Sequence, residues 1–200
     1  MCHHVGMRTR LPRKPVAISV IALAVGSLAL VGCSPSDAAV TTPQASASTA
    51  VPDDAQQVEF EAGLSSASST TYQVGKADSQ VFGVNILEGN TTINGESVKV
   101  QILGTVNYES GSGPFGSFLA LQWPDGTVLG LELDGQATKD AESGATDFTA
   151  QLQVINGSGE AEGITGGGDF TGSRTGPLAT EITIKVTLDL VDAPETITGS

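Results

Sequence analysis

The sequence predicts an all-β domain, a barrel or a sandwich, carried behind an N-terminal leader and a tether. Long stretches alternate apolar and polar residues with the two-residue repeat of a half-buried strand. Glycine-rich clusters separate those stretches, from a total of 25 glycines in 200 residues, as tight turns and bulges require. Past Cys33 no stretch carries the periodicity of an amphipathic helix. Evenly spaced strands with glycine-rich turns suit a barrel or a sandwich, and closure into a barrel would protect the strand edges.

The leader has the three parts of an export signal in order. Arg8, Arg10, Arg13 and Lys14 are its basic segment, Val16 to Val31 is apolar and uncharged, and Gly32 precedes Cys33. Met7, directly before the basic cluster, reads as the true start. The apolar run of about 16 residues is shorter than the roughly 20 of a membrane-spanning helix. Ser34-Pro35-Ser36-Asp37 supplies no basic stop-transfer flank. Leu30-Val31-Gly32-Cys33 resembles the lipobox of bacterial lipoprotein signal peptides. That resemblance implies cleavage before Cys33, lipidation of Cys33 by a diacylglyceryl and an N-acyl chain, and anchorage at the extracytoplasmic face of the cell membrane. These two attachments would supply the two membrane signals of stable anchoring, at about 0.8 kcal/mol per buried methylene. The expected organisation is a signal peptide over 1–32, a lipidated cysteine with a flexible Ser/Thr/Ala/Pro tether over 33–55, and a β domain over 56–200.

Charge and residue usage exclude several kinds of chemistry. The chain carries 9 basic and 22 acidic residues. Loss of the leader removes four of the basic residues and no acid, leaving five against 22. So acidic a surface repels phosphate backbones, which argues against nucleic acid as a partner. Cys2 and Cys33 are the only cysteines, and His3 and His4 the only histidines. After cleavage no disulfide can form within the domain, and no histidine remains. A Ser-His-Asp triad, a cysteine nucleophile and a His/Cys zinc site are therefore excluded, and no metal or cofactor is expected.

The strands follow in order. Val58-Glu59-Phe60-Glu61 opens one within an ambiguous segment, and Ser65 to Thr71 reads as a loop. From Val81 the strand pattern is clear. Val98, Val100, Ile102, Gly104, Val106 and Tyr108 alternate with Lys99, Gln101, Leu103, Thr105 and Asn107. Phe118 to Trp123 is apolar on both faces. Pro124-Asp125-Gly126 then makes a turn, because proline presets φ and glycine accepts a positive one. Thr127 to Leu133 returns with Leu129, Leu131 and Leu133 on one face, completing the best-defined hairpin. Phe148, Ala150, Leu152 and Val154 share a face of the next strand, which ends at Asn156-Gly157-Ser158-Gly159. A glycine-dense stretch from Gly163 to Gly176 has Phe170 as its one large anchor. Ile182, Ile184, Val186, Leu188 and Leu190 alternate along the last strand.

Several segments taken in order carry a second resemblance: Gly111-Ser112-Gly113-Pro114-Phe115, Leu121 to Thr127, Val154 to Glu160, Gly163-Ile164-Thr165-Gly166 and Gly168 to Gly172. Together they resemble the allene oxide cyclase barrel superfamily, which includes plant dirigent proteins, over roughly Val81 to Val191. The resemblance implies an antiparallel eight-stranded β-barrel with a central cavity, and homotrimers as in some relatives. Family cyclases work through a glutamate and polar residues around a bound water. No residue here aligns with those, and the paired aspartates of dirigent pockets have no match, so catalysis is not carried across.

The candidate site residues follow from strand phase. Glu132 and Asp134 share a face opposite Leu129, Leu131 and Leu133. If the leucines fill the lumen the acids face water; if not, the acids enter it as an acid/base pair. Trp123, the only tryptophan, has Tyr108 and Phe118 as neighbours for a ligand pocket, or for core packing. Aromatics make up 4% of the chain, too few for a large aromatic-lined cavity. Arg174 and Lys185 read as members of surface ion pairs, or as partners of a buried acid or a ligand carboxylate. Gly157-Ser158-Gly159 and Gly166-Gly167-Gly168 are turns rather than phosphate loops, since no helix and no lysine follow them.

The expected function is that of a lipid-anchored envelope protein whose barrel binds a small apolar ligand through Trp123, Tyr108, Phe118 and Glu132, without evident catalysis. Beside it stand a structural or interaction protein with a packed barrel, and a cyclase-like isomerase acting through Glu132.

Overall fold

The computed structural model describes residues 52–76 and 80–199. The leader, Cys33 and the tether as far as residue 51 lie outside the described residues. The strands are β1 (Gln56–Val74), β2 (Gln80–Ile93), β3 (Glu96–Glu109), β4 (Gly113–Gln122), β5 (Val128–Lys139), β6 (Thr146–Ser158), β7 (Thr165–Arg174) and β8 (Ile182–Val191). Each pairs antiparallel with the next, and β8 pairs with β1. The fold is a closed eight-stranded antiparallel barrel.

Period-two patterning decides which face is inside. Leu129, Leu131 and Leu133 of β5 are fully buried in the lumen, while Glu132 and Asp134 between them are exposed. Val98, Val100 and Ile102 of β3 and Ile184, Val186, Leu188 and Leu190 of β8 join them in one core. The turn after β4 is tied by Trp123, whose N–H donates to the Thr127 carbonyl at 2.9 Å, with Gly126 at φ 94°. The Asp125 carboxylate accepts both the N–H and the hydroxyl of Thr127 at 2.9 Å each. Those bonds hold its pKa below the usual carboxylate value.

Ser65 to Thr71, expected as a loop, is strand: β1 runs on to Val74, laddered against β2 from Ser65↔Glu88 to Val74↔Gln80 with a bulge at Ala67. The partner strand β8 accompanies β1 only as far as Leu64. Beyond that point β1 buries no side chain fully, so the apolar alternation that betrays a strand is missing. The backbone ladder to β2 and the strand preference of Thr70, Thr71 and Tyr72 carry it instead.

The two ends of the barrel differ. At one end Ile93, Trp123 and Ile164 are buried together with Ala161 of a 3₁₀ turn (Gly159–Ala161) and Ile197 of the short helix α1 (Glu195–Thr198). Asn94 donates to the Glu195 carbonyl at 3.0 Å, and the Thr198 hydroxyl donates to Gln56, latching α1 across that end. The other end is where β3 and β7 finish and β6 begins. It contains a cavity.

Candidate functional site

The cavity lies in the lumen at the end opposite α1. Its walls come from the inward positions of β2 to β8, with Leu178 of the β7–β8 connection beside them. Leu178 is held by a tight turn in which the Thr180 N–H and hydroxyl both donate to the Pro177 carbonyl, at 3.1 and 2.8 Å. Ala179 there takes φ 83°, a conformation usually left to glycine. The space that water centres can reach is about 50 Å³. A single water needs on the order of 10–15 Å³, and a benzene-binding cavity is about 150 Å³. That space suits a few polar atoms, not a whole ring.

Three phenylalanines form one wall. Phe115 meets Phe148 edge-on at 5.9 Å and Phe170 at 6.4 Å, both favourable aromatic geometries. Arg174 lies over the Phe148 ring, with its Cζ 5.3 Å from the ring centroid, a cation–π contact. Arg174 is 6% exposed, and its Nε is fully buried with no hydrogen-bond partner. Among the described residues no acidic side chain lines the cavity, and the ion pairs found there leave Arg174 out. Removing a lone charge from water costs several kcal/mol even after relaxation, on the order of the penalty for a broken buried pair.

The other polar groups in the walls are Asn85, Ser117 and Tyr108. Asn85 and Ser117 are buried. Asn85 Oδ1 accepts from the Ser66 hydroxyl at 2.8 Å, which leaves its two N–H donors for the cavity. Burial pushes the Tyr108 phenol up to about 12, against an opposing pull from the Arg174 charge. Tyr108 therefore stays a neutral hydroxyl across the physiological range. Burial also lowers the Arg174 pKa, with Tyr108 acting in the opposite sense, yet a guanidinium remains charged in proteins. Four hydrogen-bond donors, one of them cationic, thus converge with no acid among them. Among the described residues no three His, Cys, Asp or Glu side chains gather as metal ligands would.

The four pocket residues named from sequence do not share this site. Tyr108 lines the cavity. Trp123 is buried, at 6% exposure, but lies near Val98, at the α1 end. Ten positions of β3 separate Val98 from Tyr108, roughly 33 Å along the strand. Phe118 is 50% exposed on the outer surface, and Glu132 is exposed directly across from it. Lys185 does sit at the surface, 3.9 Å from Glu59. Arg174, expected in a surface pair, is instead inside. Its signal was present in the sequence, since Phe170, Gly172 and Arg174 share one face of β7 and Phe170 is the large anchor there. Asn85, Ser117 and Phe115 carried a weaker signal, an inward phase on strands whose faces the apolar pattern left undecided.

The chain matches no family model, no curated protein and no solved structure.

Proposed function

We propose that this protein is a lipid-anchored envelope binding protein, held at the membrane through Cys33, whose barrel takes a small, mostly apolar ligand at the end opposite α1. The observation that carries this reading is the Tyr108–Arg174 cavity, an apolar-walled recess with a few convergent polar groups, which is the usual character of a small-ligand site. The lipobox resemblance at Leu30 to Cys33 supplies the anchor in this reading, and the tether keeps the domain near the membrane surface. The likeness to allene oxide cyclase and dirigent barrels belongs to the proposal only as a precedent for a luminal site. Cyclase chemistry through Glu132 has no basis, because that carboxylate is exposed on the outer face, away from the cavity.

A second reading, action through self-assembly as a homotrimer, draws on a different observation. Phe82, Val84, Leu103 and Phe118 are each between 41% and 50% exposed on adjoining strands, and Leu103 pairs directly with Phe118. Contiguous exposed apolar surface of this kind marks interaction sites. Native mass spectrometry of the full chain purified from its own host separates the two readings. A mass excess that vanishes on denaturation is the expected result. A bare monomer mass would overturn ligand retention, and a bare trimer would favour assembly.

A further inference from the structure

We propose that the Arg174 cavity is a receptor for the carboxylate head of a small apolar acid. This rests on the luminal binding reading above and names the class of ligand. Several features of the cavity converge on it. Arg174 is more than nine-tenths buried, lines the cavity, and has no acid partner among the described residues. A guanidinium largely withdrawn from water, with its Nε–H buried and unpartnered, is a standing cost to the fold, and a bound anion would relieve it through charge-assisted, bidentate hydrogen bonds. The remaining polar groups, Asn85, Ser117 and Tyr108, are all able to donate to the same anion. The placement is also selective: among the described residues, no acid lines this recess.

Charge and size narrow the anion further. One guanidinium among neutral donors balances a single negative charge. A carboxylate brings one, whereas a phosphate monoester brings about 1.5 to 2 near neutral pH. The cavity volume of about 50 Å³ admits a head group of a few atoms. The ligand's apolar remainder then lies against Leu178, Ile182 and the phenylalanine wall. The Phe148 ring, 5.3 Å from the Arg174 Cζ, restrains the guanidinium, so the donor fork is already positioned before the ligand arrives.

Calorimetric titration of the full chain with hexanoate, hexanol and inorganic phosphate tests the assignment. Hexanoate is expected to bind about 10- to 100-fold more tightly than hexanol, the advantage of a hydrogen-bonded charge over a neutral group. In Arg174→Met, which keeps the length of the side chain without its charge, that preference should disappear while hexanol binding persists. The Arg174 Nε–H resonance of the unsubstituted chain should move on adding hexanoate and not on adding hexanol. Equal affinity for hexanoate and hexanol in the unsubstituted chain would overturn the carboxylate site and leave the apolar binding reading standing. Failure of both to bind would overturn both proposals. Phosphate competing with hexanoate at equal concentration would overturn the assignment to a carboxylate.

Discussion

Tyr108 and Arg174 show how burial alters a side chain that would be ordinary at the surface. In both, burial is the larger cause of the displaced pKa, and each opposes the shift of the other. For Tyr108 the consequence is a dependence of stability on pH. Its folded value of about 12 lies above the ordinary phenol value of 10.0. Below pH 10 both states hold the proton and the contribution is fully present. As pH rises from 10 toward 12 the unfolded chain loses the proton while the folded one keeps it, so stability falls. A shift of this size corresponds to about 2–3 kcal/mol. Urea denaturation at pH 9 and pH 12 should show that loss in the native sequence, beyond a background shared with Tyr108→Phe. An equal pH dependence in the two would mean the phenol is not held in a dry site.

Strands place these side chains, and β7 shows what a strand needs in order to fit. Its Gly168 approaches β8 so closely that an added Cβ would stand 1.9 Å from the Thr187 carbonyl oxygen. Backbone cannot move aside as a flexible side-chain end would. Gly126, in the turn after β4, presents the opposite case, with φ 94° and nothing within 4 Å of an added Cβ. Gly126→Ala should therefore cost about 1–2 kcal/mol, the left-handed conformational penalty alone. Gly168→Ala should cost about 3 kcal/mol or more through overpacking. Equilibrium denaturation midpoints would rank them, and a reversed order would show that β7 can shift away from β8. The tail of β1 illustrates a different element-scale effect. From Ser65 on it is held by its ladder to β2 and not by burial, so its Ser/Thr composition reads as loop although its backbone is extended.

Across the whole molecule, stability has to come from one apolar core. No cysteine occurs after Cys33, so no disulfide can brace the barrel. The leucines of β5 and the aliphatic row of β8 fill the lumen toward α1, and the sheet closes on itself, with the β1 tail from Ser65 paired to β2 alone. A packed half gives rigidity, and the open half is free to carry a site. The proposed attachment to a membrane is a separate matter, resting on the resemblance of Leu30-Val31-Gly32-Cys33 to a lipobox. Cys33→Ser, expressed in the native host, is expected to move the protein from the detergent phase to the aqueous phase in phase partitioning. Retention of the variant in the detergent phase would remove the lipid anchor from the proposal.

Strand phase was legible in the sequence because a barrel wall has one dry face and one wet face. Val98 to Tyr108, Leu129 to Leu133 and Ile182 to Leu190 declare that difference residue by residue. The lack of histidine and of free cysteine in the domain was equally legible, since it needs no coordinates. Closure was not legible in the alternation, which is the same in a sandwich and in a barrel; the resemblance carried by the glycine pattern implied an eight-stranded barrel, and the pairing of β8 with β1 shows it. The composition of the cavity was not legible either. Tyr108, Arg174, Asn85 and Ser117 come from four strands, and nothing local to any of them says that the others lie across the lumen. Trp123 and Tyr108 looked like neighbours by aromatic character, yet antiparallel winding sends them to opposite ends. The burial of Arg174 without an acid is the clearest case: its inward phase was written in β7, but the absence of a partner is a property of every strand that faces it, and that only the folded barrel could decide.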